Sequence, residues 1–398
     1  MNESEVRFDP HDPAFVTDGV PFDVLARIRR EEPVYRTASG GWFLSRHDDV
    51  AAALKDVATF RADLAVMARL DLENIPDDEL FLSELLEPRH GKVRRIFNSC
   101  LATHRMRDFE PTVSAICHRL VDDLLATRPA DLHAGYAQRI PSLVMAAEIL
   151  GLGDEAESRF AEWSVDGSLM FRQGTPGMPP EGPPIQTYFA EYLARHRNGE
   201  LPPNRVFAAF MDAEIDGAPL TDQMIALHLH TMVQAGVHTT RSLLTHVAHR
   251  LLHDPEIYLH LRHDRELVAR FVEESLRHDS PVLRTTRRPL TDVVIRGCRI
   301  AAGSLVDVGI GSASRDEAYY DDAETFSLDR TDPADHFAFG DGPHICPGAT
   351  LARIEATTAL NVLLDRVSGM QAVASRTYPP IPGSLGHQPI PAILTPRS

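Results

Sequence analysis

The chain has 398 residues, 43% hydrophobic and 24% charged, a globular composition that is neither disordered nor fibrous. Its 57 acidic against 40 basic residues leave a formal charge of −17, which argues against a general binder of nucleic acid or of anionic membrane. No apolar run approaches the roughly 18 residues of a membrane span, and the opening MNESEVRFDPHDP is neither basic nor apolar, so no signal peptide is expected. Four cysteines (Cys100, Cys117, Cys298 and Cys346) make no disulfide framework, and a reducing, cytoplasmic setting is expected. All but two of the basic residues, Lys55 and Lys92, are arginine.

In chain order, residues 41–45 read as a short strand and 48–55 as a helix. Helical spacing of apolar residues covers 93–127, with a break near Pro111, and returns over 141–150. The glycine- and proline-dense stretch 172–184 admits no regular element and reads as a loop, either a linker or a lid, before helix resumes at 185–197. Residues 221–253 form the longest predicted helix, capped by Thr221 and stopped by Asp254-Pro255. At 1.5 Å per residue it would run roughly 50 Å. Between Asp222 and Asp254 it holds no acid but six histidines: His228, His230, His238, His246, His249 and His253. Short strands are expected at 293–295 and 305–308, flanking a turn at Ala302-Gly303, and the proline-rich tail 378–396 can form only short extended pieces. The expected fold is mostly helix with minor strands.

The most informative segment is 339–348, Phe-Gly-Asp-Gly-Pro-His-Ile-Cys-Pro-Gly, with a helical run from Ala349. Glycine and proline fix a tight loop and put one cysteine just ahead of a helix N-terminus. The helix dipole there favours thiolate, the form that ligates metal or attacks electrophiles. A buried structural cysteine, a zinc site using His344 and Cys346, or a nucleophilic cysteine are the alternatives. Zinc needs about two more ligands that no nearby spacing offers, and the loop supplies no obvious base. Glu274 and Arg277 lie one helical turn apart and can pair on one face, as can any solvated pair at that spacing. In Ala235-Gly236-Val237-His238-Thr239-Thr240, the bare Gly236 lets a flat cofactor approach the backbone, and Thr239 offers a hydroxyl one turn on. A helix-packing notch with a back-bonded threonine explains the same residues.

Taken together, these motifs resemble the cytochrome P-450 enzymes. Phe339, Gly340, Gly342, His344, Cys346 and Gly348 match the haem-binding loop, 274–277 the Glu-x-x-Arg motif, and 235–240 the oxygen-binding stretch. The resemblance covers nearly the whole chain. It implies a mainly α fold, a helical triangular prism with a small β region, as one domain spanning 1–398, with haem between the long helix and the cysteine loop. The cofactor implied is heme b, iron protoporphyrin IX with Cys346 as the metal ligand, whose electron donation favours O–O cleavage. Phe339, Gly340 and Gly348 would shape its seat. His90, Arg94, Arg287 and His344 would grip its propionates, four donors converging on two carboxylates. Glu274 and Arg277 would lock their helix to the meander around Phe326.

The catalytic residues implied are Thr239, Gly236 and His238. The last replaces the acid that usually precedes the threonine, and imidazole can also relay protons near neutral pH. That departure leaves room for oxidative coupling or ring closure. By position, Gln234, Ala235, Leu283 and Thr285 would line the substrate pocket, and loops 71–87 and 172–184 would shape access. Arg89, Lys92 and Arg95 are candidates for a patch that receives an acidic ferredoxin, or else form a solvated helix face. The expectation is a soluble bacterial-type, monomeric monooxygenase acting on a small organic substrate with dioxygen and ferredoxin-borne electrons from NAD(P)H. Oxidative coupling, cyclisation or dealkylation in secondary metabolism is the alternative, and a non-catalytic haem-binding sensor the remote one.

Overall fold

The computed structural model describes residues 7–12, 20–68, 70–152, 154–166, 184–373 and 389–397. The loop expected over 172–183 and the tail over 378–388 lie outside the described residues. Along the chain run α1 (Phe22–Glu31), β1 (Val34–Arg36), β2 (Trp42–Leu44), α2 (His47–Lys55) and β3 (Phe60–Ala62). Four one-turn 3-10 helices follow, then α3 (Arg89–Cys100), α4 (Thr103–Asp108), α5 (Glu110–Ala126) and β4 (Ala130–Asp131). Next are α6 (Arg139–Leu143), flanked by single π turns at His133–Ala137 and Val144–Ile149, then α7 (Asp154–Asp166), α8 (Pro184–Arg197) and α9 (Arg205–Met211). A small β5 (Glu214–Ile215) and β6 (Ala218–Pro219) hairpin leads into α10 (Asp222–His253), α11 (Pro255–His263) and α12 (Leu267–His278). The chain closes through β7 (Thr285–Pro289), β8 (Val293–Ile295), β9 (Cys298–Ile300), β10 (Val306–Val308), α13 (Ile310–Ala313), α14 (Ala349–Arg366), β11 (Val367–Ala372) and β12 (Pro391–Pro396).

These elements pack as two compact units, and α10 contributes to both. One comprises the described residues of 1–63 and 249–346. The other comprises Leu64–Ala248, Pro347–Val373 and Pro389–Ser398.

The first unit is built on a five-stranded sheet of order β1-β2-β10-β7-β3, in which β10 runs parallel to β2 and antiparallel to β7. Val34, Leu44, Val306 and Val308 project from it onto Val50, Ala53 and Leu54 of α2, an apolar cluster that water cannot reach. Strand 293–295 does not flank the Ala302-Gly303 turn with β10, as expected from sequence. It pairs with β9 in a separate hairpin. The turn residues Arg296 and Gly297, with φ of 48° and 83°, supply the left-handed conformations a tight hairpin needs.

In the second unit α14 lies along α5, and a three-stranded sheet of order β11-β12-β4 takes in the tail strand. The break expected near Pro111 falls at Phe109, between α4 and α5; Pro111 itself occupies the first turn of α5, where its missing N–H costs nothing, and a further interruption falls at Leu101-Ala102. The long helix forms as expected: the Thr221 hydroxyl accepts from the Met224 N–H at 3.2 Å, and Asp254, just past its end, caps α11 through the Ile257 N–H at 3.1 Å.

Candidate active site

In the first unit, the loop around Cys346 is closed by its own backbone, the Cys346 N–H donating to the Phe339 carbonyl at 2.8 Å. Gly340 and Gly342 take φ of +72° and +66°. A Cβ on Gly342 would lie 2.9 Å from Lys55 Cα and 3.1 Å from the Leu54 carbonyl oxygen, so the loop meets the end of α2 at a distance only glycine permits. Lys55 and Asp341 pair beside it at 3.2 Å. Cys346 is half-buried and in no disulfide, and His344 ends the one-turn helix Gly342–His344. Among the described residues no three His, Cys, Asp or Glu side chains gather as a metal-binding set.

The Glu274–Arg277 pair is not a solvated one. Both side chains are fully buried, with Nε–Oε2 at 2.7 Å and Nη2–Oε1 at 2.8 Å. Arg277 donates further to the carbonyls of Ser314, Ala323 and Thr325, while Glu274 accepts from the Ser327 N–H and from Arg330. Those bonds hold Glu274 below its ordinary pKa despite burial. The pair thus ties α12 to the meander 314–330, with Phe326 packed on Phe271 and under the Arg250 guanidinium.

Arg287 on β7 is 4% exposed and donates from Nη1 to the Thr285 hydroxyl and the Thr286 carbonyl, both at 3.0 Å. Its Nε has no hydrogen-bond partner, and no carboxylate pairs with it among the described residues. Burial pulls its pKa down to about 10. A buried guanidinium with unused donors fits a bidentate anion such as a propionate, so the residues present suit a haem carboxylate. Thr285 is spent on orienting Arg287, and Leu283 lies over Gly311, whose hydrogen gives it room: a Cβ there would stand 2.3 Å from Leu283 Cδ2.

In the second unit, Gln234, Ala235, His238 and Thr239 follow one another along one stretch of α10. The Thr239 hydroxyl donates to the Ala235 carbonyl at 2.7 Å, so the back-bonded geometry is real and leaves its oxygen lone pairs available. Gly236 faces Met145, whose Cε would stand 2.4 Å from an added Cβ, so a packing notch against the Val144–Ile149 turn accounts for this glycine. The half-buried His238 ring makes no hydrogen bond among the described residues. Burial, aided by the charge of Arg241, pushes its pKa down to about 3, so it is a neutral imidazole at ordinary pH.

On α3, His90 is buried and holds Glu87 through Nδ1 at 2.8 Å, while Arg94 is half-buried with Nε on Asn98 at 3.1 Å. Arg89 pairs with Asp78 and Lys92 with Asp216, so two of the three cations expected to receive a ferredoxin are already paired and only Arg95 is exposed. Gly348 caps α14 with a φ of −89°, and its carbonyl accepts from Ala352 at 3.0 Å. Glu84 and Glu355, both buried carboxyls, were not legible as special from sequence. With Phe81 rather than Ser or Thr three residues before Glu84, no capping signature marks it in the sequence, and nothing local marks Glu355.

Residues 185–369 match the family model described as Cytochrome P450. The chain is 30% identical over 381 residues to the polyketide biosynthesis cytochrome P450 PksS of Bacillus subtilis, covering 91% of each protein. It is likewise 30% identical over 354 residues to the mycinamicin IV hydroxylase/epoxidase of Micromonospora griseorubida, covering 86% of this chain and 87% of that one. The structure of CYP109Q5 from Chondromyces apiculatus superposes with a TM-score of 0.83 at 30% identity, covering 97% of this chain and 98% of that one. A mutant of P450 EryK in complex with erythromycin B gives 0.82 at 26% identity, over 94% and 95%. No described helix is long and apolar enough to cross a membrane. The chain therefore belongs to the cytochrome P450 family, as a monooxygenase whose haem is held by a cysteine thiolate.

Proposed function

We propose that the chain hydroxylates or otherwise oxidises a polyketide-derived small molecule, with Cys346 as the iron ligand. The cysteine loop carries the reading, since a backbone-closed turn with an obligatory Gly342 presents a single thiol two residues ahead of the cap of α14. The relatives act on or bind molecules of that class, PksS by its name in polyketide biosynthesis and EryK in its complex with erythromycin B. Electrons come from NAD(P)H through a reductase and a ferredoxin, and the protein works as a cytoplasmic monomer, with 1–398 as one domain.

When bound, haem supplies the activation of dioxygen and the oxidation of substrate. Arg287, whose Nε has no hydrogen-bond partner among the described residues, would hold a propionate, with His90, Arg94 and His344 as the other donors. Phe339, Gly340 and Gly348 shape the seat of the ring. Thr239, with its proton committed to the Ala235 carbonyl, accepts a hydrogen bond from a water and so orients it. His238 rests neutral and moves a proton by accepting at one ring nitrogen and releasing from the other, without resting as imidazolium. Gln234, Ala235, Leu283 and Thr285 bound the substrate.

Turnover of polyketide lactones with NADH, ferredoxin and reductase under ¹⁸O-labelled dioxygen tests this reading. One labelled oxygen per product molecule is expected. Product formed without label would favour the second reading, oxidative coupling or ring closure. The replacement of the usual acid by His238, on a helix with no acid from 223 to 253, is the observation behind that alternative.

A further inference from the structure

Among its described residues the segment 64–88 carries no element longer than one helical turn, only the 3-10 turns Ala65–Ala68, Leu72–Asn74, Asp77–Glu79 and Leu82–Glu84. Yet Leu72, Leu80, Phe81, Leu82 and Leu85 are all buried. A long irregular segment can bury its side chains only if its backbone polar groups find partners. The turns meet part of that demand with their own carbonyls, and Glu84, which is 0% exposed, takes two further backbone N–H groups. Its Oε1 accepts from the Leu64 N–H and its Oε2 from the Phe81 N–H, each at 3.0 Å, so one carboxylate staples residues 17 positions apart. Charge-assisted bonds of this kind are about twice as strong as neutral ones. The outer braces, Arg89–Asp78 and Gln223–Glu79, are exposed and hold less.

The staple has a definite output. Phe81, anchored through its N–H, meets the His230 ring edge-on at a centroid distance of 5.6 Å and 83°. His230 is fully buried on α10, with its Nδ1 3.4 Å from Gln186 Nε2 of α8. It stands one helical turn ahead of Gln234, where the proposed substrate-facing stretch begins. We infer that Glu84 is a positioning residue that fixes Phe81 on the long helix and so sets how large a molecule can lie along residues 234–239. The inference rests on the proposed role of that stretch and names the residue that tunes its size limit.

The test uses haem-loaded protein and two nitrogen ligands read by their Soret shift, imidazole and the bulkier 4-phenylimidazole. In Glu84→Gln, an amide N–H₂ must face a backbone N–H and one staple bond is lost. Imidazole affinity should then stay within about two-fold of wild type, while 4-phenylimidazole weakens tenfold or more. Phe81→Leu leaves both Glu84 bonds in place, since they use backbone N–H groups, and guards against misfolding of the first variant. It should shift the ratio of the two dissociation constants at least five-fold. An unchanged ratio in Phe81→Leu, or equal losses for both ligands in Glu84→Gln, would overturn the inference. A wild-type protein without a thiolate-type carbon monoxide spectrum would instead sink the functional reading on which it depends.

Discussion

Glu355 supplies a sharp physical prediction because its carboxyl is buried on α14 with Oε2 lacking a hydrogen-bond partner among the described residues. Burial alone pushes its pKa up to about 8. Its neighbour Cys117 of α5 does not relieve it, being a thiol pushed up to about 12. The unfolded chain ionises Glu355 near its ordinary 4.5, whereas the folded chain holds the proton until about 8. Stability is therefore intact below pH 4.5, falls as pH rises through the window to 8, and levels off above it. At 1.36 kcal/mol per pH unit, the cost is about 1 kcal/mol at pH 5 and about 3 kcal/mol at pH 7. Glu355→Gln keeps the shape and removes the ionisation. At roughly 2 cal/mol/K of unfolding entropy per residue, 1 kcal/mol is worth about 1 °C here. The variant should thus gain over wild type by a margin that widens by about 2–3 °C between pH 5 and pH 7, measured by thermal unfolding in matched buffers. A difference in Tm that stays constant across that range would refute the neutral-acid argument.

Cutting Arg277 to Met takes the bidentate partner from the fully buried Glu274 carboxylate, leaving it only Arg330 and the Ser327 N–H, at an expected cost of about 3 kcal/mol. Haem-loaded yield and Tm should both collapse, and a loss under 1 kcal/mol in denaturant titration would contradict the burial. Gly342→Ala must accept a positive φ and press on the α2 backbone, whereas Gly303→Ala, with φ of +75° and open space, meets only the first penalty. Stability should fall by about 1–2 kcal/mol more in the former, with Soret intensity lost in parallel; equal effects would show that the loop does not press on α2. His238→Ala should lower product formed per NADH, and the wild-type ratio should show no step near pH 6.5, since the ring is already neutral there. An unchanged ratio in the variant would remove His238 from proton transfer.

What the sequence reveals about this molecule follows the range of each interaction. The cysteine loop was legible because Phe339, Gly340, Gly342 and Cys346 act within ten residues, and the turn they form depends on their own backbone preferences. The cap of the long helix at Thr221 was equally local. The Glu274–Arg277 spacing was visible, but not the carbonyls of Ser314, Ala323 and Thr325 that turn a common helix pair into a buried junction. For Gly236 the sequence leaves both room for a cofactor and a packing notch open, because the partner that accounts for the notch, Met145, lies some 90 residues away in sequence. The pairing of β8 with β9 rather than across the 302–303 turn was missed because a non-glycine residue, Arg296, takes a positive φ. Arg89 and Lys92 look like spare charge until Asp78 and Asp216 are placed beside them.

The assignment of Cys346 as the iron ligand is the centre of the account, and the most direct measurement is an absorption difference spectrum of dithionite-reduced protein with and without carbon monoxide. The account predicts a strongly red-shifted Soret band, the signature of an anionic thiolate ligand, abolished in Cys346→Ala. A band at the shorter wavelength of neutral ligation, or one that survives Cys346→Ala, would contradict it.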